Sequence, residues 1–374
     1  MINKNMTTQE ILERFYHERN SSPGTQRIYN QSIKTYEKWS NSTLTELMNI
    51  AEKEETENIH WRNSTLKRTL LDYRRYLYDT YKIRTADSYL TNLISVLRHY
   101  DITVPRLPYF SLKNANKPDQ VYPEDLPDQE TLKKTLLINN PLLKAITLLM
   151  SSSGISRADT LNLTVNDYLE ATSDYHNDDD NVLRNIIDLN NNPVDVIPTW
   201  HLRRQKTGQE YFTFSSPEST VAINSYLWSR EDKLTRDSRL FKVHERYFNI
   251  LFQRTNDMLK LGKVNNASRF SPHSLRRYHA TRLAEAGVST DFINILQGRR
   301  NNNVAHESYI RVKPDVLREK YIGALPFLVV EDVSRVKSEL DVVKLELEER
   351  SRENVVLKEN LRNIINRIEK LENQ

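Results

Sequence analysis

Two basic residues near the start of a predicted helix could bind a phosphate group. His273 and Arg276 stand three residues apart just after Ser271-Pro272, which is a typical helix start. At that spacing the two side chains share one face of the first helical turn. The free N–H groups and the helix dipole there already favour an anion.

Three further residues could complete a reaction at phosphorus. Arg157 follows Gly154 ahead of a predicted helix, Lys206 lies at the tip of a predicted hairpin, and Tyr309 follows Arg276 by 33 residues. Guanidinium groups stabilise charge on phosphoryl oxygens without a metal ion. A tyrosine can be the covalent nucleophile where cations favour its phenolate, and a lysine can protonate the leaving alkoxide. This set predicts metal-free phosphoryl transfer.

The order of these residues is similar to that of a known family. From about residue 125 to 325 the chain resembles the tyrosine recombinase (phage-type integrase) family, through Gly154-x-x-Arg157, Lys206, His273-x-x-Arg276, Gly298-Arg299 and Tyr309. The wording of Leu296-Gln-Gly-Arg299 and Ser156-Arg-Ala-Asp159 is most similar to archaeal integrases.

The resemblance implies a role for each residue. Tyr309 would attack a DNA phosphate, leaving a 3′-phosphotyrosyl bond and a free 5′-hydroxyl. Arg157 and Arg276 would clamp the phosphate, Lys206 would protonate the leaving oxygen, and His273 would act as a base or orienting group. Energy is conserved in the phosphotyrosyl bond, so neither a cofactor nor a metal is expected.

The chain departs from the family pattern at two places. Arg299 stands where many members have a histidine or tryptophan, so it is a candidate phosphate donor whose catalytic role stays open. Members often carry an acid three residues after the first arginine. Here Thr160 holds that place and Asp159 precedes it, which leaves the supporting carboxylate undecided.

Each site residue has an alternative interpretation. Arg157 or Arg276 could form an ion pair on a helix surface, and His273 could be an ordinary residue near the helix cap. Tyr321 is the nearest competitor of Tyr309. Arg203 or Arg204 could act instead of Lys206. His306 could act instead of Arg299.

The predicted partner is double-stranded DNA. The net charge of +4 is weak evidence for it, so a DNA-binding surface must come from local clusters of cations. The candidates are Arg74, Arg75, Arg203, Arg204, Arg277 and Arg300.

The sequence predicts a mainly α (α+β) fold in several parts. Helical spacing of apolar residues predicts an N-terminal helical bundle over residues 1–104, followed by a proline-rich linker over 105–128. The family resemblance implies that this bundle is the core-binding, DNA-binding domain. A catalytic domain like that of tyrosine recombinases is predicted over 129–326. Its small antiparallel sheet is expected from β-favouring runs at 185–191, 194–205 and 209–215.

The last segment, 327–374, is predicted to be a coiled-coil helix. Counting heptads from Val333, ten of twelve a and d positions are apolar, and Asn354 stands at an a position. Self-association is therefore expected, giving a homo-oligomer, a dimer or tetramer, on DNA. The alternative is one amphipathic helix folded onto its own catalytic domain.

Composition excludes several classes of protein. The chain has no cysteine, which removes disulfides and thiolate metal sites, and its seven scattered glycines build no dinucleotide or nucleotide loop. No apolar run is long enough for a membrane span, so a cytoplasmic protein is expected. The function predicted is a site-specific recombinase or integrase. The alternatives are a type IB topoisomerase-like DNA relaxer and a non-cutting DNA-binding protein with the same fold.

Overall fold

The chain folds into two compact units, each with its own hydrophobic core. The structure is a computed structural model that describes residues 6–111, 122–177, 181–191, 196–299 and 313–331, with Lys358. The two units are Met1–Gln120 and Val121–Gln374. None of the described helices is both long and apolar enough to cross a membrane.

The first unit is a helical bundle. In the part of it that the structure describes, the helices are α1 (Thr8–Glu18), α2 (Pro23–Ser40), α3 (Leu44–Thr56), α4 (Thr65–Thr80) and α5 (Ile83–His99). Side-chain caps start two of these helices: Thr7 forms a capping box with Glu10 at α1, and at α4 the Ser64 hydroxyl accepts from the N–H of Lys67. Local capping signals thus decide where α1 and α4 begin.

The core of this bundle is rich in aromatic side chains. Phe15, Tyr36 and Tyr73 are buried, and the rings of Tyr36 and Tyr73 meet edge to face with centroids 5.3 Å apart. The chain after α5 also contributes, because Leu107 and Phe110 pack against the same core.

The second unit combines short helices with two small antiparallel sheets among its described residues. Its helices are α6 (Gln129–Leu136), α7 (Pro141–Ser153), α8 (Arg157–Asn162), α9 (Val165–Ala171), α10 (Val182–Asn191), α11 (Pro217–Trp228), α12 (Glu245–Met258), α13 (Pro272–Glu285), α14 (Thr290–Leu296) and α15 (Pro314–Leu328). Its strands are β1 (Thr199–Arg203), β2 (Glu210–Phe214), β3 (Lys263–Val264) and β4 (Ala267–Ser268). The predicted fold class, mainly α with a small sheet, is confirmed.

Helix α7 lies at the centre of the second unit. Its residues from Ala145 to Ser153 are all buried, and it packs against α11 and α13. A helix that is apolar on every side must be covered on every side. Its last residue precedes Gly154, so the end of this central helix is a fixed point for the site described below.

The β1–β2 hairpin confirms two of the three predicted strands. The strands pair antiparallel from Thr199↔Phe214 to Arg203↔Glu210. The strand predicted over 185–191 is wrong, because these residues belong to α10. Val182, Ile186 and Leu189 recur at helical spacing and are buried together, so burial of one helical face overrides the strand preference of paired isoleucines.

The chain after α15 is anchored to α11. The backbone N–H groups of Val330 and Glu331 donate to the Glu218 carboxylate at 2.9 and 3.0 Å. Burial raises the pKa of Glu218 to about 7, although these two donors act in the opposite direction. Except for Lys358, the residues of the predicted coiled coil from 332 onward lie outside the described part of the chain.

Candidate active site

Arg276 joins the ends of three helices. It is the fifth residue of α13, whose N-cap Ser271 and first residue Pro272 are as predicted, and it is only 6% exposed. Its Nη1 donates to the carbonyl oxygen of Gly154 after α7, and its Nη2 donates to that of Gln297 after α14. The guanidinium is therefore fixed by backbone carbonyls.

Two glycines allow this close packing. Gly154 has φ +64°, and a Cβ there would lie 2.5 Å from Nδ1 of His279. Gly298 has φ +58°, and a Cβ there would lie 2.7 Å from the ring of Tyr211. Both positions combine a left-handed backbone with no room for a side chain, so only glycine fits without displacement.

Arg204 reaches the same place from the β1–β2 hairpin. Its Nη1 donates to the carbonyl oxygen of Gly298 at 2.6 Å. Since Arg276 donates to the carbonyl of Gln297, the two guanidinium groups bind consecutive peptide units. Arg299, half-buried, is the next residue along the chain.

These arginines form a positive cluster. The pKa of Arg276 is lowered to about 10, mainly by burial and also by the charges of Arg204 and Arg299, while Tyr211 and Asp159 act in the opposite direction. Burial also lowers the pKa of Arg299, again helped by Arg204. No ion pair within the described part of the chain involves Arg204, Arg276 or Arg299. A cluster of this kind is suited to bind an anion.

The surroundings of His273 and His279 lower the pKa of both, although His273 is exposed and His279 is buried. Partial desolvation lowers the pKa of His273, and so do the charges of Arg277, Arg299 and Arg276. His279 is fully buried with a pKa lowered to about 3, and its Nδ1 lies 2.9 Å from Nε2 of Gln297. His279 is therefore a packing residue.

Asp159 is buried between α8 and the β1–β2 hairpin. The sequence left open whether it supplies the supporting carboxylate. It is 5% exposed and accepts from the backbone N–H of Gln205 at 2.9 Å and from the hydroxyl of Ser156 at 2.7 Å. Thr160 instead donates its hydroxyl to the carbonyl of Ser156. Asp159 thus ties α8 to the hairpin that carries Arg204 and Lys206.

Lys206 lies in the hairpin turn, where the sequence predicts it. Its side chain is exposed. The turn is closed by the Gly208 N–H donating to the Arg204 carbonyl at 2.8 Å and by Arg203 Nε donating to the Gly208 carbonyl at 3.0 Å. Arg203 is therefore engaged in the turn, while Lys206 extends from it.

Arg157 makes the ion pair that was its alternative interpretation. It is the first residue of α8, and its Nη2 lies 3.0 Å from the Glu245 carboxylate while its Nη1 donates to Asn249 at 2.9 Å. Both partners belong to α12. Its side chain is 41% exposed. No hydrogen bond links it to the carbonyls that Arg276 binds, and its predicted role on phosphate remains untested.

Tyr309, Arg300 and His306 lie outside the described residues. The competitor Tyr321 is described: it is fully buried, its hydroxyl donates to the Ser152 carbonyl at 3.1 Å, and burial raises its pKa well above the usual value. A phenol in this state is a poor nucleophile, so Tyr321 is a core residue.

The remaining basic candidates differ in how exposed they are. Arg277 is exposed on α13. Arg74 Nη1 donates to the Pro108 carbonyl at 2.8 Å, and its guanidinium lies 4.9 Å from the centroid of the Phe110 ring. Arg75 is 79% exposed, with a loose contact of 3.9 Å to Asp79.

The contact of Arg204 with the end of α14 is not predicted from the sequence. From the sequence Arg204 is only a DNA-binding candidate or a competitor of Lys206, which stands two residues later in the same turn. Nothing in the spacing shows that the Arg204 side chain reaches the end of α14. The sequence also indicated no role for Gln297, which fixes both Arg276 and His279.

The fold and site define a helical domain in which a hairpin and two helix ends hold a cluster of guanidinium groups. Residues 139–315 match the model of the phage integrase family. This region, a little under half of the chain, therefore carries a domain that matches that family, the tyrosine recombinases. No curated protein matches the chain.

Solved structures of recombinases are similar to the chain. One is XerH site-specific recombinase bound to palindromic difH substrate in a post-cleavage complex, with 12% identity and a TM-score of 0.50 over 84% of this chain and 83% of that chain. Another is the Tn1549 transposon integrase in complex with transposon right end DNA, with 14% identity and a TM-score of 0.47 over 84% and 98%. At 12% identity the XerH likeness concerns the fold.

Proposed function

We propose that this protein is a site-specific DNA recombinase that cleaves and rejoins DNA through a covalent bond to Tyr309. The observation that carries the proposal is the cluster around Arg276, which lies inside a tyrosine recombinase domain and has no ion-pair partner among the described residues. A DNA phosphate is the anion for which such a cluster is suited.

The proposed cleavage is a substitution at phosphorus. The Tyr309 oxygen attacks the scissile phosphate, and the bond from phosphorus to the 5′-oxygen breaks. Arg276 and a second guanidinium neutralise charge that develops on the non-bridging oxygens, and Arg299 adds positive charge beside them. Reversal of the same step by a 5′-hydroxyl rejoins the strand, so the protein's own residues suffice for the chemistry.

Two residues handle the protons in this scheme. His273 accepts the tyrosine proton or orients the phosphate, and its lowered pKa supports the accepting role, because a neutral imidazole has a free nitrogen. Lys206 supplies a proton to the 5′-oxygen as it leaves. Its exposed position in the hairpin turn allows its long side chain to reach a bound duplex.

Recombination also requires DNA binding and assembly. The first unit is proposed to bind DNA together with Arg277 and Arg300, and two or four protomers are proposed to meet on two sites. The segment 327–374 is an additional proposed association surface. Deleting 332–374 should lower the number of protomers in the protein–DNA assembly, as measured by light scattering, and an unchanged number would remove this role.

The test is to trap the covalent intermediate. The full chain is incubated with a pool of duplexes that carry randomised sequence around a bridging phosphorothiolate, whose cleavage product, a 5′-thiol, rejoins poorly. We expect a detergent-resistant adduct that mass spectrometry maps to Tyr309. Tyr309→Phe is the matched control and should form none.

The alternatives predict different results. Equal adduct from Tyr309→Phe would contradict the assignment of the nucleophile, and no adduct from any duplex would favour a non-cutting DNA-binding protein. If the protein relaxes supercoiled DNA but never joins two marked duplexes that carry the selected sequence, it is a topoisomerase-like relaxer.

A further inference from the structure

We propose that Arg204, at the end of the hairpin strand, is the second guanidinium that binds the scissile phosphate beside Arg276. This inference rests on the proposed function and makes it more specific. Two guanidinium forks are needed to replace a metal ion on the phosphoryl oxygens, and the structure offers Arg204 and Arg157 for the second place.

Arg204 and Arg276 are held by two neighbouring backbone carbonyls. Arg204 and Arg276 donate to the carbonyls of Gly298 and Gln297, whose Cα atoms are about 3.8 Å apart as in any trans peptide. An arginine has five N–H donors, so each guanidinium keeps donors that these contacts do not use. Two forks in this relation can contact one phosphate together.

The backbone at Arg204 is fixed by hydrogen bonds on both sides of the residue. Its backbone N–H donates to the Gln209 carbonyl at 2.8 Å, and its carbonyl accepts from Gly208 at 2.8 Å. The next residue, Gln205, is bound to the buried Asp159. Both ends of the residue are therefore fixed, which is what a preorganised charge requires.

The positive charges of Arg204, Arg276 and Arg299 act on one another. Arg204 acts on both Arg276 and Arg299, lowering the pKa of each. Tyr211 and, with a smaller effect, Asp159 act on the pKa of Arg276 in the opposite direction. Cations held this close repel one another, and a bound phosphate would relieve that repulsion.

Arg157 differs from Arg204 in its partners and in its exposure. Its guanidinium is neutralised by Glu245 and held by Asn249 on α12, and it is 41% exposed. Moving it to the phosphate would break both contacts. Arg204 needs no such movement.

The experiment compares single-turnover cleavage by full-length variants. The substrates are a nicked duplex with the sequence selected above and the same duplex with a bridging phosphorothiolate. The variants are Arg204→Ala, Arg204→Lys, Arg157→Ala and Lys206→Ala. The matched control is Arg239→Ala, which removes an exposed arginine that also donates to a backbone carbonyl, that of Asn162.

We expect Arg204→Ala to slow adduct formation by about 10²–10³-fold on both substrates. Arg204→Lys, which keeps the charge but not the fork, should recover part of the rate. The loss from Arg204→Ala should exceed that from Arg157→Ala by at least about tenfold. A thiol leaving group needs no proton, so Lys206→Ala should be rescued by sulfur while Arg204→Ala should not.

Two results overturn the inference alone, provided that the wild-type protein forms the adduct. One is a wild-type rate for Arg204→Ala. The other is a defect that disappears with the phosphorothiolate, because Arg204 would then only position Lys206. If the wild-type protein forms no adduct on any duplex, the proposed function itself fails. The Arg239→Ala rate shows how much of any loss follows from removing a surface arginine.

Discussion

The second unit contains two regions with a buried arginine, and they differ in what neutralises it. The Arg230 side chain is 5% exposed, and its Nη2 lies 2.7 Å from the Asp232 carboxylate, whose pKa is held far below its usual value mainly by this hydrogen bond. Arg276, 6% exposed as a whole residue, donates instead to two carbonyls.

The comparison separates structural arginines from ligand-binding ones. A carbonyl fixes a guanidinium in space but does not cancel its charge, whereas a carboxylate does both. Arg230 therefore needs nothing further, while Arg276, with Arg204 and Arg299 beside it, keeps a charge that an anion can neutralise. A buried arginine held by carbonyls alone is thus a sign of an anion site.

The largest expected effect is the loss of Arg276. Arg276→Ala should slow single-turnover adduct formation on the selected duplex by about 10³–10⁵-fold, the range for an arginine that stabilises charge in phosphoryl transfer. Arg230→Ala is the control, because it removes another guanidinium on a side chain that is only 5% exposed, and it should lower the melting temperature without a comparable loss of rate. Equal rate losses for the two variants would break the comparison.

The next effect concerns the glycine that holds the carbonyl frame. Gly298→Ala adds the cost of a left-handed alanine, about 1–2 kcal/mol, to a collision with the Tyr211 ring that costs about 1–3 kcal/mol more. Gly287→Ala is the control, because Gly287 also has a positive φ but a Cβ there meets nothing within 4 Å.

Denaturant unfolding of both glycine variants measures this difference. The free energy of unfolding should fall more for Gly298→Ala than for Gly287→Ala. If the two losses are equal, the Tyr211 contact imposes no constraint on the end of α14, and the frame that holds Arg204 and Arg276 is less rigid than inferred.

The smallest expected effect concerns two arginines of the first unit, one held by a carbonyl and one exposed. Arg74 is held by a carbonyl and an aromatic ring, whereas the neighbouring Arg75 is exposed. If Arg75 binds a DNA phosphate, Arg75→Ala should reduce the slope of log affinity against log salt by about 0.9. Fluorescence anisotropy with a random-sequence duplex measures the slope. A larger change for Arg74→Ala would reverse this assignment.

Local signals made much of the fold predictable. Ser271, Pro272 and Gly287 delimit α13 because capping and the end of a helix depend on neighbouring residues. Thr207-Gly208 likewise marks the hairpin turn. The strand predicted over 185–191 failed because β-branched residues favour strands only when burial agrees, and here one helical face is buried.

By itself, the sequence determined the identity and order of the basic residues, the glycines and the caps, and hence a site for an anion on a helical domain. Only the tertiary structure decided which guanidinium lies where. Arg157 and Arg204 carry the same group, and spacing along the chain cannot tell which carbonyl or carboxylate each reaches. That depends on the packing of the hairpin on α14, where the Tyr211 ring meets Gly298, and such a contact exists only in the folded chain.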